Sequence, residues 1–173
     1  MEDPSEVMQA SPATEIDSRT FRDALGCFAS GVVVISGMSG GDPVGFTCQS
    51  FTSLSMTPPM VAFCPSVASV TWRQIRSAGA FCVNILSESQ RRTSDVFAQR
   101  RDDKFAGISW RPGLAGAPLI DDALAHIECE IESVYPGGDH DIVLGRVVRL
   151  GGTGRTEPLL YYRGRYARLL RSG

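Results

Sequence analysis

Short apolar runs, separated by clusters of glycine, proline and serine, are the main pattern along this chain. Runs at 32–36, 60–64 and 80–86 are rich in β-branched and aromatic side chains, which is typical of buried strands. The turn cluster at 39–43 predicts that the first run returns as an antiparallel hairpin. Pro59 can open the second strand, where its missing N–H costs least.

The clearest alternation of apolar and polar side chains covers residues 125–135. A period of two predicts a strand with one buried face and one wet, acidic face. The buried face is predicted to carry Ala125, Ile127, Cys129, Ile131 and Tyr135, and the wet face His126, Glu128, Glu130 and Glu132. The turn at 136–139 then predicts a partner strand at 142–150.

Helical spacing is found in three places. Asp17-Ser18 is a candidate N-cap for a helix over 18–29, whose apolar positions are Phe21, Leu25 and Phe28. Further helices are predicted at 69–78, closed by Gly79, and at 87–98, and residues 102–118 are loop-rich.

The arrangement of these elements predicts the fold class. Six or seven strands, joined by hairpins and lacking regular strand–helix alternation, favour a closed antiparallel barrel over a doubly wound sheet.

Composition narrows the class of protein. The 173 residues suit one domain, predicted at 17–171 after a flexible polar tail at 1–16. A net charge of -2 gives no general attraction to nucleic acid or to an acidic membrane. Five widely spaced cysteines without a CxxC pair argue against disulfides and a metal site, and predict a reducing compartment. Without a signal peptide or an apolar span, we expect a cytoplasmic protein.

A hydroxyl-rich segment follows the predicted hairpin. Its hydroxyls are those of Thr47, Ser50, Thr52, Ser53 and Ser55. Such a segment, leaving a strand, can direct hydroxyls and main-chain N–H groups toward an anionic or carbonyl-bearing ligand. It could equally be a polar loop that binds nothing, since most loops have no ligand.

An ordered set of motifs spans residues 20–169. The set begins with Gly45-Phe46-Thr47-Cys48-Gln49-Ser50-Phe51, Ser53, Pro58-Pro59 and Val61, and continues with Phe81-Cys82-Val83-Asn84-Ile85-Leu86, Asp103-Lys104-Phe105, Gly138-Asp139-His140, Gly145-Arg146-Val147 and Pro158-Leu159-Leu160-Tyr161-Tyr162. In these motifs the chain resembles the short-chain flavin reductases, the small components of two-component flavin-dependent monooxygenases. The resemblance implies a mainly β, antiparallel split-barrel fold of the FMN-binding type, with a few short flanking helices.

The resemblance also assigns roles to residues. It implies that the flavin is bound by Gly45, Phe46, Thr47, Cys48, Gln49, Ser50, Ser53, Cys64, Pro65 and Ser69. Ser69 would lie near a phosphate at the start of its helix, where an anion is favoured. It implies that the nicotinamide dinucleotide is bound by Gly138, Asp139 and His140. Tyr166 is a further candidate for this ligand, beside Arg163 and Arg165, and the resemblance does not fix which of the three acts on a phosphate. No GxGxxG fingerprint offers an alternative site for the dinucleotide.

The activity implied by the resemblance is hydride transfer from NADH to FAD, with FMN accepted. Reduced flavin would then diffuse to a separate monooxygenase, and the protein would be a homodimer. His140 would position the nicotinamide, and no residue is expected to act as a catalytic acid or base. A non-catalytic flavin-binding module and an oxidase of the pyridoxine-phosphate type remain alternatives, because one fold hosts several functions.

Overall fold

The structure is a computed structural model that describes residues 16–152 and 157–169. Helices α1 to α3 span Ser18–Leu25, Val70–Ala78 and Arg91–Ala98. Strands β1 to β12 span Ser30–Gly31, Val33–Ser39, Asp42–Cys48, Thr52–Met56, Pro59–Phe63, Ala80–Ile85, Trp110–Pro112, Pro118–Ile120, Ala125–Gly137, His140–Gly152, Leu160–Tyr162 and Arg165–Ala167. The predicted tail at 1–16 lies outside the described residues except for Ile16.

Seven strands form the main sheet in the order β3-β2-β6-β9-β10-β5-β4, and all its neighbours are antiparallel. The mainly antiparallel β class with few helices is therefore confirmed. The hydrogen-bonded ladder does not close, because β3 and β4 remain at its two ends. The expectation of a closed barrel was wrong in this respect, and the architecture is that of a split barrel. An open end leaves main-chain groups of the edge strands available to a ligand.

Strand β2 is the centre of the packing. Its residues alternate between two apolar clusters, with Val33 and Ile35 in one, and with Val34 in the other together with Val32, which precedes the strand. The first cluster is built around Phe63, whose ring lies 5.7 Å from Trp72 and 5.1 Å from Phe81 in edge-to-face contacts. The second cluster packs β2 against Phe97 of α3 and Leu159. A strand covered on both faces explains the continuous apolar run in the sequence.

Helix α1 is shorter than the predicted 18–29. Its N-cap is Asp17, as expected, but the helix ends at Leu25, after which Cys27 and Phe28 bond three residues back, in a tighter turn. Phe21 and Leu25 are exposed, although their spacing is that of a buried stripe. No residue of α1 is buried within the described part of this chain.

Two segments that were expected to be irregular contain strands. Part of the hydroxyl-rich segment forms β4, which pairs with β5 at the edge of the main sheet. Within the loop-rich 102–118, β7 pairs with β8. They were missed because short strands such as the hydroxyl-rich β4 and the proline-containing β7 carry little hydrophobic signal, and main-chain pairing decides their structure.

The long hairpin of β9 and β10 corrects the predicted faces. A register shift at Glu132 inserts one extra residue, so that Val134 packs on the core and Tyr135 is 52% exposed instead of buried. Glu128, expected on the wet face, is buried and accepts from the main-chain N–H of Leu114. His126 is half-buried and its Nε2 lies 2.7 Å from the carbonyl of Ile120. The β7–β8 pair covers this end of the face, which alternation alone could not reveal.

Candidate functional site

A cleft of about 1020 Å³ opens beside the β3 edge of the sheet. Three parts of the chain line it, namely β3, the start of α2 and the segment that runs from the end of α3 to Ala106. Of the residues predicted to bind flavin, Gly45, Phe46, Thr47 and Ser69 lie in this lining. The cleft is large enough for an elongated cofactor with a planar ring at one end.

The β3 wall is held in place by α3. The Thr47 hydroxyl donates to the carbonyl of Ser94 at 2.7 Å. At Gly45 the two elements are so close that a Cβ atom would lie 3.0 Å from the ring of Phe97. Glycine is therefore required here by close approach, and the segment from Gly45 to Thr47 has little freedom to move.

The α2 end of the cleft presents the N-terminus of a nine-residue helix. Ser69 is its N-cap, and its hydroxyl oxygen accepts from the N–H of Trp72 at 3.2 Å. The hydroxyl hydrogen of Ser69 remains available to a ligand. The unpaired N–H groups of the first turn and the helix dipole both favour a negatively charged group at this position.

The remaining predicted flavin residues are not in the lining of the cleft. Ser50 joins two chain segments, because its hydroxyl accepts from the N–H of Cys64 at 2.9 Å and donates to the carbonyl of Cys64 at 3.1 Å. The Cys48 sulfur lies 3.3 Å from the same hydroxyl. Pro65 is buried next to Cys64, whereas Gln49 and Ser53 are exposed. Burial raises the pKa of the Cys48 thiol, so it remains protonated and unreactive near neutral pH.

The turn Gly138-Asp139-His140 is tied to the segment that enters the cleft. The N–H of Asp141 donates to the carbonyl of Pro65 at 2.9 Å, and the N–H of Val67 donates to the carbonyl of Asp139 at 3.1 Å. Ser66, between these two contacts, lines the cleft. The structure thus brings the predicted nicotinamide turn next to the predicted flavin segment, although 70 or more residues separate them in sequence.

His140 is oriented by its neighbour. Its Nδ1 lies 2.7 Å from a carboxylate oxygen of Asp139, and the imidazole remains partly exposed. The pKa of Asp139 is lowered mainly by the hydrogen bond from His140 and secondly by the charge of the imidazole. The ionised Asp139 carboxylate therefore accepts a hydrogen bond from the Nδ1–H of His140, which leaves Nε2 as the ring nitrogen that is available to a ligand.

Asp141 is a residue of this region that the sequence did not single out. Its carboxylate accepts from the indole N–H of Trp72 at 2.7 Å and lies 3.5 Å from the guanidinium of Arg76. Both partners belong to α2, so the carboxylate joins the helix at the cleft to the turn that carries His140. Its position in sequence directly after His140 was the only signal available.

Tyr166, the fourth residue predicted for the dinucleotide, lies on the α3 side. Its hydroxyl is 2.7 Å from the carboxylate of Asp95 and 3.0 Å from the hydroxyl of Ser94. The guanidinium of Arg91 lies over its ring, 5.0 Å from the centroid. Tyr166 is not in the lining of the cleft, and these contacts connect it to Thr47 of that lining only by way of Ser94.

The third wall of the cleft was not predicted to be part of the site. It carries Arg100, Arg101, Asp103 and Lys104. Arg101 and Asp103 form an ion pair with a 2.6 Å contact, which lowers the pKa of Asp103. Its proximity to β3 and α2 in the fold assigns this segment to the site. The motif Asp103-Lys104-Phe105 had indicated the family but no binding role.

Metal sites and membrane spans would indicate other classes of functional region. Among the described residues, no three His, Cys, Asp or Glu side chains come together as a possible metal site. Nor does any described helix have the length and hydropathy needed to cross a membrane.

In comparison with known proteins, the chain is similar to proteins named as flavin reductases or as reductase subunits of monooxygenases. The reductase subunit HsaB of a flavin-dependent monooxygenase from Rhodococcus jostii is 48% identical over 157 residues, which cover 91% of this chain and 80% of that protein. An NADH-dependent FAD reductase from Streptomyces globisporus is 35% identical over 167 residues, with 92% and 91% covered.

Solved structures agree with these relatives. Nitrilotriacetate monooxygenase component B from Mycobacterium thermoresistibile has a TM-score of 0.85 at 50% identity, over 88% of this chain and 86% of that one. The NADH:FAD oxidoreductase SgcE6 of Streptomyces globisporus, solved in complex with NAD and FAD fragments, has a TM-score of 0.85 at 36% identity, over 89% and 93%. The flavin reductase like domain matches residues 25–170, and the chain therefore belongs to that family.

Proposed function

We propose that this protein transfers hydride from NADH to FAD and releases the reduced flavin to a separate flavin-dependent monooxygenase. The observation that carries the proposal is the cleft at the open edge of β3, which joins main-chain groups and hydroxyls to a helix N-terminus. The relatives named as flavin reductases and as a monooxygenase reductase subunit give the same direction.

The chain's own residues fit a flavin. Along Gly45 to Thr47, the outer edge of β3 has no neighbouring strand among the described residues, so its main-chain groups can meet the polar edge of the ring. Ser69 and the first turn of α2 suit the phosphates. Bound there, a flavin supplies an acceptor for hydride, and donors preorganised along β3 stabilise the negative charge that reduction adds.

For the dinucleotide we propose the turn of Gly138, Asp139 and His140. With the Nδ1 proton held by Asp139, the Nε2 of a neutral imidazole accepts from the amide of a nicotinamide. When the ring is protonated, Nε2 donates to the amide oxygen or to a phosphate. No acid or base is required of the protein, since its contribution is to orient the two reactants and to exclude other geometries. The role of Tyr166 stays a prediction.

Homodimer formation is a second part of the proposal. Phe21, Leu25 and Phe28 are 54%, 58% and 82% exposed on and just after α1, an apolar patch of the kind that marks an interface. Light scattering during gel filtration should give the dimer mass for the wild type and the monomer mass for Phe21→Glu/Leu25→Glu. Arg22→Glu, on the same helix, is the control and should remain a dimer. A monomeric wild type contradicts this part.

We also propose a cytoplasmic location, supported by the five unpaired cysteines of the described residues, which suit a reducing compartment.

The decisive test is NADH oxidation by the purified protein. Turnover should appear with FAD, remain measurable with FMN, and be negligible without added flavin. NADPH in place of NADH measures the dinucleotide preference. Absence of turnover with every flavin and both dinucleotides would overturn the reductase and leave a flavin-binding module.

Release of reduced flavin has its own test. The protein and an oxygenase that consumes reduced FAD are placed on opposite sides of a dialysis membrane that passes only small molecules. Product formation under limited oxygen supports diffusion of the flavin. Product that forms only when the two proteins share a compartment contradicts free diffusion.

A further inference from the structure

Lys104 is the single lysine among the 17 Lys and Arg residues of this chain. It is buried, with 9% of its surface exposed, and it lines the cleft. All the other residues of this set are arginines, so the shape of the ammonium group is what distinguishes position 104 from them. An ammonium is compact and has three donors, whereas a guanidinium is a planar fork that fits carboxylates and phosphates.

The Lys104 ammonium bridges the two elements that form one corner of the cleft. Its Nζ donates to the carbonyl of Gly45 on β3 at 3.2 Å and to the carbonyl of Phe97 in the last turn of α3 at 3.1 Å. Carbonyls in the last turn of a helix carry partial negative charge, which suits a cation. The two elements are thus joined by a charge-assisted bridge at Gly45 as well as by the Thr47 hydroxyl.

No carboxylate of the described residues forms an ion pair with Lys104, and its two acceptors among those residues are neutral carbonyls. One of its three N–H donors is therefore left without an acceptor in the part of the chain that the structure describes. Burial lowers the pKa of Lys104, as expected for an ammonium that is removed from water without a carboxylate beside it.

We propose that Lys104 is a positioning residue for the flavin ring: by bridging Gly45 and Phe97 it fixes the β3 main chain that meets the ring. This inference rests on the proposed flavin function. The carbonyl of Gly45 accepts from Lys104, which anchors β3 at this residue. The neighbouring groups up to Thr47 are then presented to the ligand in one fixed arrangement.

The experiment measures the dissociation constants of riboflavin, FMN and FAD from quenching of flavin fluorescence. Lys104→Met keeps the length of the side chain but removes the bridge, and Lys104→Arg keeps the charge. Arg149→Met, which removes one positive charge from the exposed surface of β10, is the control. We expect Lys104→Met to bind all three flavins about tenfold more weakly, Lys104→Arg to recover part of the affinity, and the control to match the wild type.

The three ligands separate the possible results. Unchanged affinities in folded Lys104→Met would overturn the positioning role. A loss confined to FMN and FAD would also overturn it, because Lys104 would then bind a phosphate. A wild type that binds no flavin would overturn the proposed function itself, so the two failures are distinguishable.

The single lysine offers a measurement that needs no variant. In protein labelled with ¹³C at the lysine Cε, only one lysine signal is expected in the NMR spectrum. Addition of riboflavin, which carries no phosphate, should shift that signal. A saturated complex with an unmoved lysine signal would contradict the proposal even if Lys104→Met does not fold.

Discussion

His140 receives its orientation from Asp139, the residue that precedes it. In the 2.7 Å contact, Nδ1 is hydrogen-bonded to Asp139 and Nε2 is left for a ligand, so the two neighbouring residues act together. A Gly-Asp-His turn in the sequence indicated the place. The contact with Asp139 decides which nitrogen is available, and the main-chain contacts with Pro65 and Val67 join the turn to the segment that leads into the cleft.

Replacing His140 by alanine should affect the dinucleotide and spare the flavin. We expect the KM for NADH to rise about tenfold, since one hydrogen bond to the ligand is lost, while the dissociation constant of FAD stays within about twofold. Steady-state kinetics with varied NADH and a flavin titration measure the two effects. An unchanged KM, or equal losses for both ligands, contradicts the assignment.

At the scale of elements, helix α2 and strand β10 were predicted correctly in kind, but their joint function was not visible. Capping by Ser69 and closure by Gly79 follow from local chemistry, since a hydroxyl satisfies an N–H and glycine adopts the left-handed conformation at φ 75°. The bulge at Glu132, by contrast, turns Tyr135 outward because of the pairing between β9 and β10, which a single strand's alternation does not record.

The start of α2 supplies a prediction about phosphate. Ser69→Ala removes the hydroxyl that is available to an anion and should weaken FMN and FAD severalfold while leaving riboflavin unchanged. It should also lower the free energy of unfolding by about 1 kcal/mol through loss of the cap. Ser77→Ala, in the same helix and outside the large cleft, is the control for both effects. Equal weakening of riboflavin would argue against a phosphate at this end.

Strand β10 offers a matched pair of glycines. A Cβ at Gly145 would overlap the ring of Phe81, whereas nothing lies within 4 Å of a Cβ at Gly151. Gly145→Ala should therefore lower the free energy of unfolding by about 1–3 kcal/mol, as overpacked cores do, and Gly151→Ala should be nearly neutral. Urea unfolding of the two variants measures the difference. Similar stabilities would mean that Phe81 moves aside without cost.

At the scale of the whole molecule, the split of the sheet creates the site. The edge of β3 has no partner strand in the main sheet, and α3 and α2 lie next to it. A cleft therefore remains where a closed barrel would have continuous pairing. The degree of burial of the five cysteines also follows from this architecture. Cys82 and Cys129 are buried between β6, β9 and the covering segments, Cys48 closes β3, and only Cys27 is exposed.

Thiol reactivity should report this distribution. Burial raises the pKa of Cys129 to about 12 and raises the pKa of Cys82 and Cys48, so these three thiols remain protonated and shielded at neutral pH. Native protein should react quickly at Cys27, more slowly at half-buried Cys64, and at the other three only after unfolding. Mass spectrometry of timed alkylation measures the order. Rapid labelling of Cys82 or Cys129 would contradict the packing.

The sequence by itself determined the class of the fold, most strands and helices, and the family, because these follow from local periodicity, turn chemistry and an ordered set of motifs. It also indicated Gly45 to Thr47, Ser69 and His140 as candidates. Only the tertiary structure decided that the sheet stays open, that the apolar face of α1 is uncovered, and that Lys104 bridges Gly45 to Phe97. These features depend on contacts between residues far apart in the chain, and no local pattern encodes which long-range contacts form.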